Sequence, residues 1–367
     1  MLSTLLTILV LLPVFSCSLY STEQLQRAVN SKCELRSLYK EHKQTHLQKH
    51  TRPPHEEAMR MEFFLQEIKE ILKFRANEDI KWDAGLNFMA DMTDDEMDLM
   101  RGYAGNASSS QDALKGPVKL ESTLSAYSPP LSFDLWRLGG MVGPVHDQVK
   151  GSCWAHAAVV PLEAQLAYFK GTFQQLSIQE LYDCTYPKER NAKGGTVQDA
   201  WVYVSMADRL GTWDESPEIE EAWYSFFYNK RSCEGYDKKE NALDGFYIEK
   251  KSWVTSERDI IQTLFCTSPV TVGFDTKNTG LTLYTGGLYS LDNCKLIDHA
   301  LVIVGYTEVA LIIKNSWGER WGEYGYLMFD RKGPVCDMYT KTFSVTLEKK
   351  GYDDPNVCRW SSSVIPF

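Results

Sequence analysis

Three patterns of apolar and polar positions succeed one another along this chain of 367 residues. At the start, Met1 to Ser18 carries an apolar run of about 11–15 residues, short of the roughly 20 that a membrane-spanning helix requires, and then small residues. It reads as a secretory signal peptide ending near Ser18, without the usual basic start; a buried N-terminal strand or helix is the alternative reading. The second pattern is helical. Ser21 with Gln24 resembles a capping box, Pro53-Pro54 breaks the chain, and Met59, Phe63, Phe64, Ile68, Ile71 and Leu72 recur with a period near 3.6, which gives one apolar stripe, first of all a core face. The stretch from Gly105 to Pro130 is rich in Ser, Ala, Gly and Pro and reads as a linker. The third pattern begins at Leu131. It predicts a helix after Cys153, then loops, then short β-rich runs at Val270–Phe274, Ala300–Tyr306 and Leu311–Asn315. The chain shows no internal repeat.

Composition narrows the class. With 43% hydrophobic and 24% charged residues the chain is globular, and its length suits one or two packed domains. A formal net charge of -10 argues against nucleic acid and against a basic membrane-binding face. The signal peptide, with no later segment that looks like a membrane helix, predicts a mature protein in the secretory pathway, lysosomal or extracellular. Disulfides are permitted there. Asn106-Ala107-Ser108 is a glycosylation acceptor in the linker.

The chemistry concentrates in four residues. Ser152-Cys153-Trp154 has Gln148 five residues before the cysteine; far downstream lie His299, in Asp-His-Ala-Leu-Val-Ile-Val-Gly-Tyr, and Asn315, in Lys-Asn-Ser-Trp-Gly. A cysteine nucleophile needs a base to form its thiolate and a third group to orient that base. It also needs a donor for the developing oxyanion, which a glutamine amide supplies. Each residue also has a bland reading. A lone cysteine is usually a small buried hydrophobe, a lone histidine structural, an asparagine a turn residue and a glutamine a loop residue. Cys153 with His146 and His156 has spacing compatible with a metal site, but no second cysteine pair accompanies them.

From Phe133 onward the chain resembles the papain-like cysteine peptidases. Asp134-Leu-Trp136-Arg137 is similar to the start of their mature enzyme, Gln148-x4-Cys153-Trp154 to the oxyanion and nucleophile segment, and Asp298-His299-Ala300 with Asn315-Ser316-Trp317-Gly318 to the base and its orienting asparagine. Gly194-Gly195 resembles the pair whose backbone lines the cleft. The separation of Cys153 and His299 lies within the roughly 130–150 residues of papain-type enzymes. The helical N-terminal part resembles the family's inhibitory propeptide: Glu56, Arg60, Phe64 and Ile71 keep the spacing of one propeptide motif, with Glu67 and Arg75 where asparagines are usual, and Asn87 and Asp91 sit in a stretch like the second.

The resemblance implies an α+β fold of two lobes, one helical and one a β-barrel, with the cleft between them. It implies residues 1–18 as signal peptide, 19–128 as helical propeptide and linker, and 129–367 as peptidase domain. Cys153 would open the central helix, whose N-terminus lowers a thiol's pKa. Cys153, His299, Asn315 and Gln148 would carry a cysteine endopeptidase reaction needing no metal or organic cofactor, with Trp317 shielding the His299–Asn315 contact. Gly194, Gly195, Val197, Gly273, Ala300, Trp317 and Lys341 would bind substrate, Lys341 at the floor of a specificity pocket unless it turns out to solvent. The pairing Cys184–Cys233 and Cys294–Cys336 follows from the same resemblance, and Cys266 and Cys358, left over, are expected to pair. Partners would be protein or peptide substrates, the chain's own propeptide and cystatin-like inhibitors, acting on a monomer.

Departures from the family pattern matter too. Lys150 and Ala192 stand where one disulfide's two cysteines would be. His156 replaces an aromatic residue on the central helix, and Pro161 falls inside it, where proline disfavours a straight helix by roughly 3 kcal/mol. A non-catalytic relative that uses the cleft for binding, and an acyl-transfer ligase on the same scaffold, are the other functions open to such a chain.

Overall fold

The structure, a computed structural model, describes residues 20–47, 53–104, 128–135, 140–148, 151–185, 194–213, 233, 235–277, 279–290, 294, 296–333, 338, 342–352 and 358–360. The expected signal peptide, Asn106, Trp136, Arg137, Lys150, Ala192, Cys336 and Lys341 lie outside the described residues.

Three helices open the described chain: α1 (Thr22–Asn30), α2 (Lys32–His46) and α3 (Glu57–Arg75). Ser21 caps α1 in the reciprocal arrangement with Gln24 that the sequence suggests. The apolar seam of α3 is narrower than its sequence implies. It buries Phe64, Ile68 and Ile71 with Arg60, whereas Met59 is exposed, because the 60-64-68-71 spacing tracks one helix face. Arg60 enters that face with its charge met: it binds Glu56, both oxygens of Glu96 and the carbonyl of Asp91. Tyr39 of α2 reaches the Asp91 carboxylate at 3.0 Å, and Asn87 donates to the Thr282 carbonyl at 2.6 Å. The second motif-like stretch thus ties the three helices to the downstream chain.

Strand β1 (Trp82–Ala84) and helix α4 (Asp94–Leu99) follow. Downstream come β2 (Phe133–Asp134), α5 (Cys153–Lys170), α6 (Ile178–Cys184), α7 (Val197–Ala207), β3 (Phe246–Trp253), α8 (Glu257–Cys266), β4 (Val270–Phe274), β5 (Tyr284–Tyr289), β6 (His299–Tyr306), β7 (Ala310–Lys314), β8 (Tyr326–Asp330) and β9 (Thr342–Lys349). The strands pair in the order β1-β5-β8-β7-β6-β4-β9-β3, with β2 also on β6. Among the described strand pairs only β5–β8 is parallel. The expected barrel is, among the described residues, an open sheet, and one of its edges is β1 from the N-terminal segment.

Helix α5 is the central element. It is buried from Cys153 through Ala167 and packs on α6, α7, β6 and β9. Pro161 sits inside it, and the helix continues through to Lys170. A helix buried this thoroughly draws its stability from packing more than from propensity, which offsets the lost hydrogen bond. Gln165, one turn on, fastens α5 to β9: its amide donates to Pro161 and Val345 carbonyls and its oxygen accepts from the Leu347 N–H.

The structure pairs Cys184 with Cys233 and Cys266 with Cys358. Cys294 is also disulfide-bonded, and its expected partner lies outside the described residues.

Candidate active site

Four elements deliver the four expected residues to one place. Cys153 is the first residue of α5; His299 is the first residue of β6; Asn315 follows β7; Gln148 lies on the loop before α5. All four side chains are buried. His299 Nε2 meets Asn315 Oδ1 at 2.9 Å, and the Trp317 ring stacks on the imidazole with centroids 4.4 Å apart. Asn315 therefore fixes the ring's tautomer and Trp317 keeps water from that contact. His299 Nδ1 is buried and has no hydrogen-bond partner, so it is the nitrogen left to take a proton. The next residue, Ala300, turns its backbone N–H toward Cys153 Sγ, so thiol and imidazole share one wall.

Gln148 is held more firmly than its sequence context suggests. Its backbone N–H donates to the Ser316 carbonyl at 2.7 Å, and Ser316 Oγ donates to its Oε1 at 2.6 Å. The oxygen being engaged, Nε2 points into the cleft as a donor. Sequence reasoning missed Ser316; the signal was its place in the Asn-Ser-Trp-Gly motif.

The cleft is occupied by the chain itself. The Met100 carbonyl accepts from Gln148 Nε2 at 2.9 Å and from Trp317 Nε1 at 3.3 Å. Gly151 N–H donates to the Leu99 carbonyl, and the Gly102 and Tyr103 N–H groups donate to the Asp298 carbonyl at 3.1 and 3.0 Å. Gly195 donates to Gly102 and accepts from Ala104, a parallel bridge about Tyr103. The Gly102 N–H also faces the sulfur. What lies on the thiol is thus an N–H group, while the carbonyl on the glutamine donor belongs to a residue two positions earlier.

Burial beneath this segment decides the protonation states. It pushes the Cys153 thiol up to about 12 and the His299 imidazole down to about 4. The helix N-terminus was expected to lower the thiol's pKa; with the sulfur covered, loss of solvent outweighs it, and the N–H groups of Ala300, Gly102 and Trp154 offset it only in part.

Of the expected substrate-binding residues, Gly194 and Gly195 line the cleft at the bridge, Val197 opens α7, and Gly273 pairs with Ala300 across β4 and β6. Behind Asn315 lies a small cavity lined by His146, His156, Glu163 and Lys314. The rings of His146 and His156 lie 5.5 Å apart, and neither nitrogen of His156 has a partner. Burial keeps His156 neutral, well below its usual pKa. Among the described residues no group of three or more His, Cys, Asp or Glu side chains could hold a metal ion, so the structure gives the metal reading of Cys153, His146 and His156 no support.

Comparison with known proteins agrees with this geometry. Residues 129–346 match the family described as papain family cysteine protease. The chain belongs to the papain family of cysteine proteases. Mexicain of Jacaratia mexicana is 35% identical over 224 residues, covering 58% of this chain and 96% of that protein. Papain of Carica papaya is 29% identical over 300 residues, 78% of this chain and 80% of its own length. Among solved structures, the proform of the ragweed pollen cysteine protease Amb a 11 superposes with a TM-score of 0.68 at 25% identity, covering 88% of this chain and 95% of that one. Digestive procathepsin L 3 of Tenebrio molitor larval midgut gives 0.66 at 25% identity, with 85% and 99% coverage. These proforms extend the likeness beyond the matched domain to the N-terminal helices. The family is one of cysteine endopeptidases, and the expected papain-like proenzyme fold is the one observed.

Proposed function

We propose that the chain is the precursor of a secretory-route cysteine endopeptidase, lysosomal or extracellular, in which residues 19–128 hold residues 129–367 inactive. Once the cleft is vacated, Cys153 is reachable by solvent and substrate, and its thiolate forms with His299 as the proton acceptor. The thiolate attacks a peptide carbonyl; Gln148 Nε2 and the Cys153 backbone N–H take the oxyanion. His299, oriented by Asn315, returns the proton to the leaving amine. It then draws a proton from water, which hydrolyses the thioester and frees the acid. Substrates are proteins or peptides.

The observation that carries this reading is the contact of Gln148 Nε2 with the Met100 carbonyl beside a covered Cys153. A carbonyl on that donor is the ground-state image of an oxyanion. Leu131 is 74% exposed and the Pro130 carbonyl accepts from the Tyr306 hydroxyl, which suits a cut nearby. Acidified full-length protein is expected to yield an active chain starting within a few residues of Pro130, read by N-terminal sequencing alongside a peptide hydrolysis assay. Activity confined to the unprocessed chain would overturn it.

A further inference from the structure

Asn315 is pinned at one end only. Its Oδ1 accepts from His299 Nε2 at 2.9 Å and from the Ser316 N–H at 2.7 Å, while Nδ2 is buried with no hydrogen-bond partner. Asn315 lines the small cavity behind the site, about 20 Å³, together with His156, Glu163 and Lys314. His156 is buried there on α5, and neither of its ring nitrogens meets a protein group. Glu163 accepts from the Leu176 N–H at 2.9 Å, and Lys314 Nζ donates to the Pro144 carbonyl at 2.6 Å. Each feels the other's charge, yet among the described residues no direct ion pair joins the two. Opposite charges that share a cavity without touching leave a polar gap between them.

We propose that this cavity binds one water molecule that links Asn315 to His156, and that His156 is a positioning residue for Asn315 and, through it, for His299. This deepens the peptidase reading above and rests on it. A buried water needs roughly 10–15 Å³ of room and two to four polar partners, and the cavity supplies both. Donors and acceptors also match. The water accepts from Asn315 Nδ2 and Lys314 Nζ; it donates to the bare nitrogen of the neutral His156 ring and to the Glu163 carboxylate. With Nδ2 held, the amide cannot swing, so Oδ1 stays on His299 Nε2 and Nδ1 remains the free nitrogen of the base. A phenylalanine at this position would offer the water no acceptor and free the amide to turn. The second nitrogen of His156 stays bare, so the residue costs the fold stability while it serves orientation. His156 reaches no reacting atom and no substrate. Its effect therefore falls on kcat and not on KM.

Two experiments on the full-length chain and its acid-processed product test this. The first is a high-resolution crystal structure of the full-length precursor. It should show one ordered water within hydrogen-bond distance of both Asn315 Nδ2 and a His156 ring nitrogen. An empty cavity, or a direct Glu163–Lys314 ion pair that closes it, would overturn the proposal. The second is steady-state peptide hydrolysis by processed wild type, His156→Phe and His156→Gln. The phenylalanine variant should lose about tenfold in kcat at unchanged KM, with a melting temperature no lower than that of wild type. The glutamine variant keeps an acceptor for the water and should recover kcat to within about twofold of wild type. Wild-type kcat in His156→Phe, or a glutamine variant as slow as the phenylalanine one, would refute the positioning role. A processed wild type that cleaves no peptide would sink the peptidase reading, and the precursor's crystal structure would still judge the water.

Discussion

The N-terminal segment meets the rest of the molecule in two places, built on different principles. At the far edge of the sheet, β1 pairs with β5 and carries Trp82 into an aromatic cluster: Phe74 and Tyr289 lie 5.0 and 5.3 Å from it between ring centroids. This is a side-chain anchor, and its strength is buried apolar area. In the cleft, most hydrogen bonds of residues 99–104 run through the backbone, and the chain crosses on glycines. A Cβ added to Gly102 would stand 2.0 Å from the Gly151 carbonyl oxygen. Backbone contacts of this kind are open to any polypeptide, including a substrate. The comparison teaches a division of labour: affinity comes from the remote anchor, and blocking comes from a strand that a substrate can replace once the anchor lets go.

Breaking the anchor should have the larger effect. Trp82→Ala removes an indole that is 7% exposed and should weaken docking by about 3–5 kcal/mol. The precursor should then process itself at neutral pH, read by gel and activity; processing only in acid would show that the anchor is not on the edge strand. Gly102→Ala attacks the other end. The collision is with backbone, so the cleft strand must move, at about 1–3 kcal/mol. Cys153 should alkylate faster while the thermal stability of the helical segment stays at the wild-type value. Unchanged alkylation would mean the crossing has room that the geometry denies.

Acid offers a finer test. His46 ends α2, buried against Arg320, whose guanidinium donates to its backbone carbonyl at 2.6 Å. Burial first, then Arg320, lowers its pKa to about 4 from an ordinary 6.5. The docked form therefore refuses a proton that the released form accepts. Docking is unaffected above pH 6.5 and is lost progressively as pH falls from there toward 4, by about 1–2 kcal/mol at pH 5. His46→Gln should move the activation midpoint to lower pH, and an unmoved midpoint would remove His46 from the release step. The smallest effect belongs to the core behind the site. His156→Phe replaces two unpartnered ring nitrogens with carbon and should stabilise the fold by about 1 kcal/mol at pH 7. Because buried His156 stays neutral while the unfolded residue protonates below 6.5, the variant's advantage should widen at pH 5. Differential scanning calorimetry at both values measures this, and a variant less stable than wild type at pH 5 contradicts it.

The cluster of four polar residues was legible in the sequence because short motifs fix each residue on its own element. The structure brings Gln148, Cys153, His299 and Asn315 together where those motifs imply. Ser316 was hidden, since its role is a contact with Gln148 across 168 residues of chain. The thiol's state was misjudged for a related reason: the helix terminus was weighed without the strand that covers it. Pro161 suggested a disturbed helix, and burial along all of its neighbours kept the helix continuous. Met59 was counted in a stripe that spacing alone drew too wide.

The central claim is that Cys153 is the nucleophile of a peptidase silenced by its own chain. The most direct measurement is peptide hydrolysis by acid-processed wild type and by Cys153→Ala processed in trans with a trace of wild type that is then inactivated. The account predicts several orders of magnitude less activity in the variant with an unchanged circular dichroism spectrum. Hydrolysis by the variant within tenfold of wild type would contradict it.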